Sequence, residues 1–283
     1  NIAQGTNTII ATKTGLSLAD YVVTEAGFGA DLGAEKFLHI KGYYSGLKPA
    51  AYVLVATIRA LRYHGGAKKG EYENPNLHFV EKGIENLKKH IENAFKFGLK
   101  PIIAINHFAT DSDEEINFVK SECEKLGVKA ILADEFTKGG EGMTELAEEV
   151  VNCAANCGNN FQPLYKVEDS VEHKIETIAK EVYGADAVVF SQKALNQLKS
   201  IYNLGLDKLP ICMAKTQKSL SDDEKKIGRP KGFKVTVREF EFAAGAGFII
   251  PILGDMMRMP GLPSVPAAEG MDIDKFGKIT GLS

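Results

Sequence analysis

Four stretches of the sequence gather residues able to meet an anionic or heterocyclic ligand, and each follows a run that reads as a buried β-strand. The first, Val22–Phe37, reads VVTEAGFGADLGAEKF and sets Glu25, Gly27, Phe28 and Gly29 between a strand end and a helix start. In open α/β sheets ligands bind beyond the carboxyl ends of the strands, where small residues let backbone approach a substrate closely. A dinucleotide fingerprint fails by one place: Gly27 and Gly29 fit, but Leu32 stands where the third glycine belongs. The plainer alternative is a tight strand-to-helix turn without a ligand. The second stretch, Val53–Gly66, carries Arg59, Arg62 and His64 ahead of a glycine pair. Cations just past a strand end suit an anionic ligand, although arginines on an ordinary helix are equally often solvated charges.

The third stretch is Ala104–Asp111, AINHFATD. Asn106 and Asp111 offer a hydrogen-bonding edge and Phe108 a flat apolar face, which suits an aromatic heterocycle such as a pterin or purine. His107 has no partner visible in the sequence and is left out of the catalytic set. The motif also loosely resembles a guanine-reading N-K-x-D loop, so a nucleotide-binding protein with a GTPase-like sheet is an alternative. The fourth stretch, Glu135–Gly142, reads EFTKGGEG and adds Phe136, Lys138, Gly139, Gly140 and Glu141. Its spacing is not GxxxxGK[ST], and that motif occurs nowhere in the 283 residues, so a triphosphate site is expected outside them. Cys153 and Cys157 would share a helix face, but no second ligand pair lies nearby, and no metal site is expected.

The elements that must position these groups follow from periodicity. Apolar runs at Asp20–Glu25, Ala51–Thr57, Pro101–Asn106 and Lys129–Ala133 predict strands apolar on both faces, as in a sheet covered by helices on both sides. Between them, Leu77, Val80, Ile84, Leu87, Ile91 and Phe95 form one stripe across Asn76–Phe97, a crossover helix. A second helix follows Asp111, with acids in its first turn and a stop at Gly127. Beyond Gly158 the pattern predicts a helix over Ser170–Tyr183, a strand at Asp186–Phe190, a helix from Gln192 to Asn203, and strands near Leu209–Lys215 and Phe233–Phe242. The expected fold is α/β, a mostly parallel sheet with flanking helices over residues 1–157, followed by a smaller α/β domain over 158–283. The tail from Gly254 to Ser283 reads as an ordered loop lying over a surface.

With 44% hydrophobic and 25% charged residues, 283 residues suffice for about two domains of roughly 150 residues each. A formal net charge of -3 leaves no basic stripe for a nucleic-acid backbone, which excludes that class of partner. No apolar run approaches the ~18 residues of a membrane span and no secretory signal is visible, so a soluble cytoplasmic protein is expected. Four cysteines are too sparse for a disulfide scaffold. The chain opens at Asn1 without Met and reads as though it enters an existing domain.

Taken in order, NIAQG, ADYVVTEAGFGADLGAEKF, VATIRALRYHGG, KHIEN, KGGEG, MAKTQKSLSDDEKKIGRP, TVREFEF, MPGLP and KITGL resemble the formate–tetrahydrofolate ligase family over essentially the whole chain. The resemblance implies part of a P-loop NTPase-like domain whose phosphate-binding N-terminal half is missing here. It also implies ligation of formate to tetrahydrofolate through formyl phosphate, with ATP and Mg²⁺, a possible monovalent cation, small-molecule partners only and a homotetramer. A fragment that binds folate without catalysis is the alternative. The family's folate slot maps onto Phe108 and Phe136, with Lys138, Gly139, Gly140 and Glu141 beside it and Glu25 to Gly29 lining the crevice, to which Arg59 and His64 are also assigned. Three departures stand out: Gln4 where relatives carry His, Ala109 where they carry Pro, and Phe136 where Trp is frequent. The last keeps a stacking face but loses an indole N–H.

Overall fold

The computed structural model describes residues 7–158, 160–254, 264–277 and 279–281. Gln4 and the MPGLP motif lie outside the described residues. Helix α1, Ile9–Leu18, begins where the Thr8 hydroxyl accepts the Ala11 N–H. A helical segment, 30–45, follows the glycine turn and ends in α2, Gly42–Ser45. Strand β1 (Tyr52–Ala56) leads into α3 (Ile58–His64), then α4 (Leu77–Lys96), β2 (Pro101–Asn106), α5 (Asp113–Lys125) and β3 (Ala130–Ala133). The three strands form a parallel sheet in the order β1-β2-β3, as the alternation of strand and helix predicts.

Strand β2 is buried on both faces. On one side Ile103 and Ile105 pack with Val80, Ile84, Leu87 and Ile91 of α4. On the other, Ile102 and Ala104 meet Leu146 and Cys153 of α7, Thr144–Asn156, which is reached through α6, Glu135–Lys138. The outer strand β1 differs from expectation, because Val53 and Val55 are exposed and no described element covers that face of it. Asp20–Glu25, expected as a strand, pairs with none of the described strands, and Val23 is 90% exposed. A β-branched run becomes a strand only where a neighbour takes up its hydrogen bonds, and here the run is left as irregular chain.

The second lobe holds α8 (Val171–Thr177), continued helically through Ile178–Tyr183, then β4 (Ala187–Phe190), α9 (Gln192–Asn203), β5 (Lys234–Ala243) and β6 (Phe248–Leu253). Strand β5 pairs parallel with β4 and antiparallel with β6. The expected strand at Leu209–Lys215 is reduced to two parallel bridges onto β6, at Ile211 and Ala214. A small exposed hairpin of β7 (Asp272–Ile273) and β8 (Ile279–Thr280) occupies the described part of the tail.

Cores and polar clamps join the lobes. Leu38, Phe97 and Leu99 from the first lobe sit in one buried cluster with Tyr165, Ile175 and Ile178 from the second. Lys89 Nζ and Asn93 Nδ2 cap the carbonyls of Glu181 and Val182 at 2.7 and 2.9 Å. Glu92 receives a bidentate Arg229 at 2.8 and 2.7 Å. The KHIEN motif is thus an inter-lobe clamp. Burial drops the Lys89 ammonium to about 8.

Candidate functional site

The carboxyl ends of β1, β2 and β3 lie side by side, adjacent strands being about 4.8 Å apart. Asn106 pairs with Ala133, and the ladder runs one step further as the His107 N–H donates to the Ala133 carbonyl at 2.9 Å. The loop after β2, which carries Phe108, and the short helix α6 after β3, which carries Phe136, therefore leave the sheet at the same level. Phe108 and Phe136 are 43% and 94% exposed, so neither is spent on the core.

Asp134 ties the two segments together. Its Oδ1 lies 3.3 Å from His107 Nδ1, and its Oδ2 lies 3.1 Å from Lys138 Nζ. Lys138 and then His107 hold the Asp134 carboxyl below its usual range. Behind this bridge the loop closes tightly. The Asp134 N–H donates to the Gly142 carbonyl, and a Cβ on Gly142 would fall 2.3 Å from the Asp134 carbonyl oxygen. Glycine is needed there because backbone occupies the space a side chain would take. Gly139 has φ +59, while Gly140 and Glu141 are exposed. An open, mainly apolar groove starts at Gly140 and follows α7 past Met143, Ala147 and Val151.

The Phe108 loop is shaped from beneath. Asp111 Oδ2 accepts the Phe108 N–H at 2.9 Å, and the Asp111 N–H returns to the Phe108 carbonyl at 2.9 Å. The Asp111 side chain is therefore committed to the turn, and burial lifts its pKa above the ordinary value despite the Phe108 N–H and Arg62. Arg62, fully buried, reaches Glu115 with Nε and Nη2 at 2.8 and 2.6 Å, Tyr72 O at 2.6 Å and Thr110 O at 2.9 Å. Glu115 closes a capping box with Ser112 at the start of α5 and also accepts the Asn76 N–H at 2.9 Å. Burial pushes Glu115 up, but Arg62, Ser112 and Asn76 overcome it and hold the carboxyl at about 2.

The other residues singled out in the sequence fall into three kinds of place. Arg59 is on the surface, paired with Glu73 at 3.2 Å. His64 accepts the Gly228 N–H on Nδ1 at 3.1 Å, and burial, reinforced by His90, depresses it to about 4. It is a neutral tether between α3 and the segment before Pro230. Asn106 is half-buried at the end of β2.

The glycine turn forms a separate feature. Glu25 and Phe28 are exposed, and Phe28 holds φ +65, the one positive value at a described non-glycine residue. A Cβ on Gly33 would lie 1.6 Å from the Gly27 carbonyl oxygen, whereas one on Gly27 would meet nothing within 4 Å. Gly33 is thus the position where the helical segment and the turn touch. Asp31 meets the fully buried Lys215 at 2.7 Å, and Lys215 also donates to the Thr216 carbonyl at 2.9 Å and to the Ser219 carbonyl. Burial raises the Asp31 pKa, but Lys215 and His90 outweigh it and leave the carboxyl below its usual range. The MAKTQKSLSDDEKKIGRP motif therefore grips, from the second lobe, the start of the helical segment that follows the glycine turn.

Residue types alone did not reveal Asp134, Asp31 or Lys215, because each finds its partner across a long sequence separation or a loop. The Ser112-x-x-Glu115 box was visible in principle. Among the described residues no group of three or more His, Cys, Asp and Glu side chains is placed to hold a metal, and no helix is long and apolar enough to cross a membrane. The family model for formate–tetrahydrofolate ligase matches residues 1–283, from the first residue to the last, and the chain belongs to that family.

Proposed function

We propose that this chain carries the folate side of formate–tetrahydrofolate ligation, holding the reduced pterin against Phe108 and Phe136 at the carboxyl edge of the parallel sheet. The observation that carries this reading is the pair of exposed phenylalanines on the segments that follow β2 and β3, bridged by Asp134 through His107 and Lys138. Two apolar faces next to a polar bridge suit a flat heterocycle with hydrogen-bonding edges. The groove beginning at Gly140 offers an apolar track for the aryl group beyond the pterin.

In the proposed reaction ATP phosphorylates formate, and N10 of tetrahydrofolate attacks the formyl carbon and expels phosphate. Formyl phosphate is a reactive mixed anhydride, so the folate must already be seated when it forms. Residues of this chain would bind and orient the folate, and Mg²⁺ brought in with ATP would supply the charge that offsets the phosphoryl oxygens. Family membership supports ligase chemistry on these substrates, and it is also the ground for proposing a homo-oligomer in the cytoplasm. A second reading, folate binding without ligation, is favoured by the lack of any GxxxxGK[ST] sequence in the 283 residues.

The test is to supply ATP, Mg²⁺, formate and tetrahydrofolate to the chain at verified mass and to follow 10-formyltetrahydrofolate. Product that vanishes in Phe136→Ala supports ligation at this site. Tetrahydrofolate binding without product selects the second reading, and neither binding nor product rejects both.

A further inference from the structure

We infer that His107 selects the reduced state of the ring system, by presenting a hydrogen-bond acceptor where tetrahydrofolate carries an N–H and oxidised folate does not. The inference rests on the folate slot proposed above and deepens it.

The argument begins with the tautomer. Asp134 Oδ1 is 3.3 Å from His107 Nδ1, and a carboxylate can only accept, so Nδ1 carries the proton. In the neutral ring Nε2 is then left with a lone pair. Asp134 is suited to fix this state, because Lys138 at 3.1 Å keeps its carboxyl ionised. The backbone that carries each side chain is fixed. The His107 N–H is bonded to Ala133 at the end of the sheet, and the Asp134 N–H to Gly142.

The position also matters. His107 immediately precedes Phe108, and Asp134 stands two residues before Phe136, so the imidazole lies at the base of both phenylalanine-bearing segments. Its side chain is 27% exposed, enough to be reached by a ligand yet shielded on its Asp134 side. The pyrimidine half of the pterin stays flat in both oxidation states, so a stacking face for phenylalanine is present on either ligand. Hydrogen bonding differs between them. The reduced pyrazine ring bears N–H donors at N5 and N8, whereas in folic acid both nitrogens are acceptors whose lone pairs would oppose that of Nε2. A site built to accept from an N–H discriminates against an analogue lacking it more strongly than apolar contact can.

The experiment compares tetrahydrofolate and folic acid, titrated anaerobically into the whole chain and into His107→Phe and Phe136→Ala. His107→Phe should weaken tetrahydrofolate about 10-fold and change folic acid less than about 2-fold, the loss of one hydrogen bond at one ligand only. Phe136→Ala should weaken both ligands alike. In parallel, the ¹⁵N resonance of His107 Nε2 should shift on adding tetrahydrofolate and stay in place with folic acid. Equal losses for the two ligands in His107→Phe, or an unmoved Nε2 resonance at saturation, would overturn the inference while leaving the slot standing. If Phe136→Ala weakened neither ligand, the slot itself would fall, and the role of His107 with it.

Discussion

Replacing Arg62 by Met tests how the Phe108 loop is held. The guanidinium is fully buried and its hydrogen bonds end on three different segments: Glu115 at the start of α5, Tyr72 in the glycine-rich connection after α3, and Thr110 in the Phe108 loop. Methionine keeps much of the volume but leaves Glu115 charged and without its cation. Breaking a buried pair from one side costs about 3–5 kcal/mol, most of it the orphaned charge. For a chain of this size that corresponds to a fall in Tm of roughly 6–20 °C. Arg62→Met/Glu115→Gln removes the orphaned charge yet keeps a neutral acceptor for Asn76 and Ser112. In urea unfolding the double variant should therefore be at least as stable as Arg62→Met alone, a coupling of about 2 kcal/mol or more. The same clamp gives a pH signature. Glu115 titrates at about 2 in the folded chain against 4.5 ordinarily, so its contribution of ~3 kcal/mol is complete above pH ~4.5 and fades as the pH falls towards ~2. An Arg62→Met variant within about 1 kcal/mol of the parent, or strictly additive effects in the double variant, would refute this reasoning.

Gly33→Ala and Gly27→Ala should behave oppositely: the first drives a Cβ into the Gly27 carbonyl and should cost more than about 2 kcal/mol in urea unfolding, while the second meets open space and should stay within about 0.5 kcal/mol. His64 is held down to about 4, below its unfolded value of 6.5, so the unfolded chain binds the extra proton first. Stability should thus fall by up to ~3 kcal/mol between pH ~6.5 and ~4, and His64→Asn should flatten that part of a pH-resolved unfolding profile.

The fold was legible wherever a local signal was strong. Strand β2 occupies the predicted Pro101–Asn106, and α9 the predicted Gln192–Asn203. The stripe from Leu77 to Phe95 lies on α4, whose cap is Asn76. Failures came where pairing, not propensity, decides. The run Asp20–Glu25 has strand composition but finds no described strand to pair with, and Leu209–Lys215 makes only two bridges. Strand β6, with Pro251 in its middle, has a residue that weakens any strand assignment made from sequence. At the site, the two aromatic rings could be picked out as types, whereas the Asp134 bridge depends on strand register and joins residues 27 positions apart in the chain. Several stretches that give the sequence its family character, KHIEN and MAKTQKSLSDDEKKIGRP above all, turn out to hold the lobes together and to grip the start of the helical segment after the glycine turn rather than to face the aromatic pair.

The central claim is that Phe108 and Phe136 form one folate slot, and calorimetric titration of tetrahydrofolate into the chain and its Phe108→Ala and Phe136→Ala variants tests it most directly. Each substitution should weaken binding by ~1–3 kcal/mol, the scale of one lost aromatic stacking face. Parent-like affinity in both variants, with the fold intact, would contradict the account.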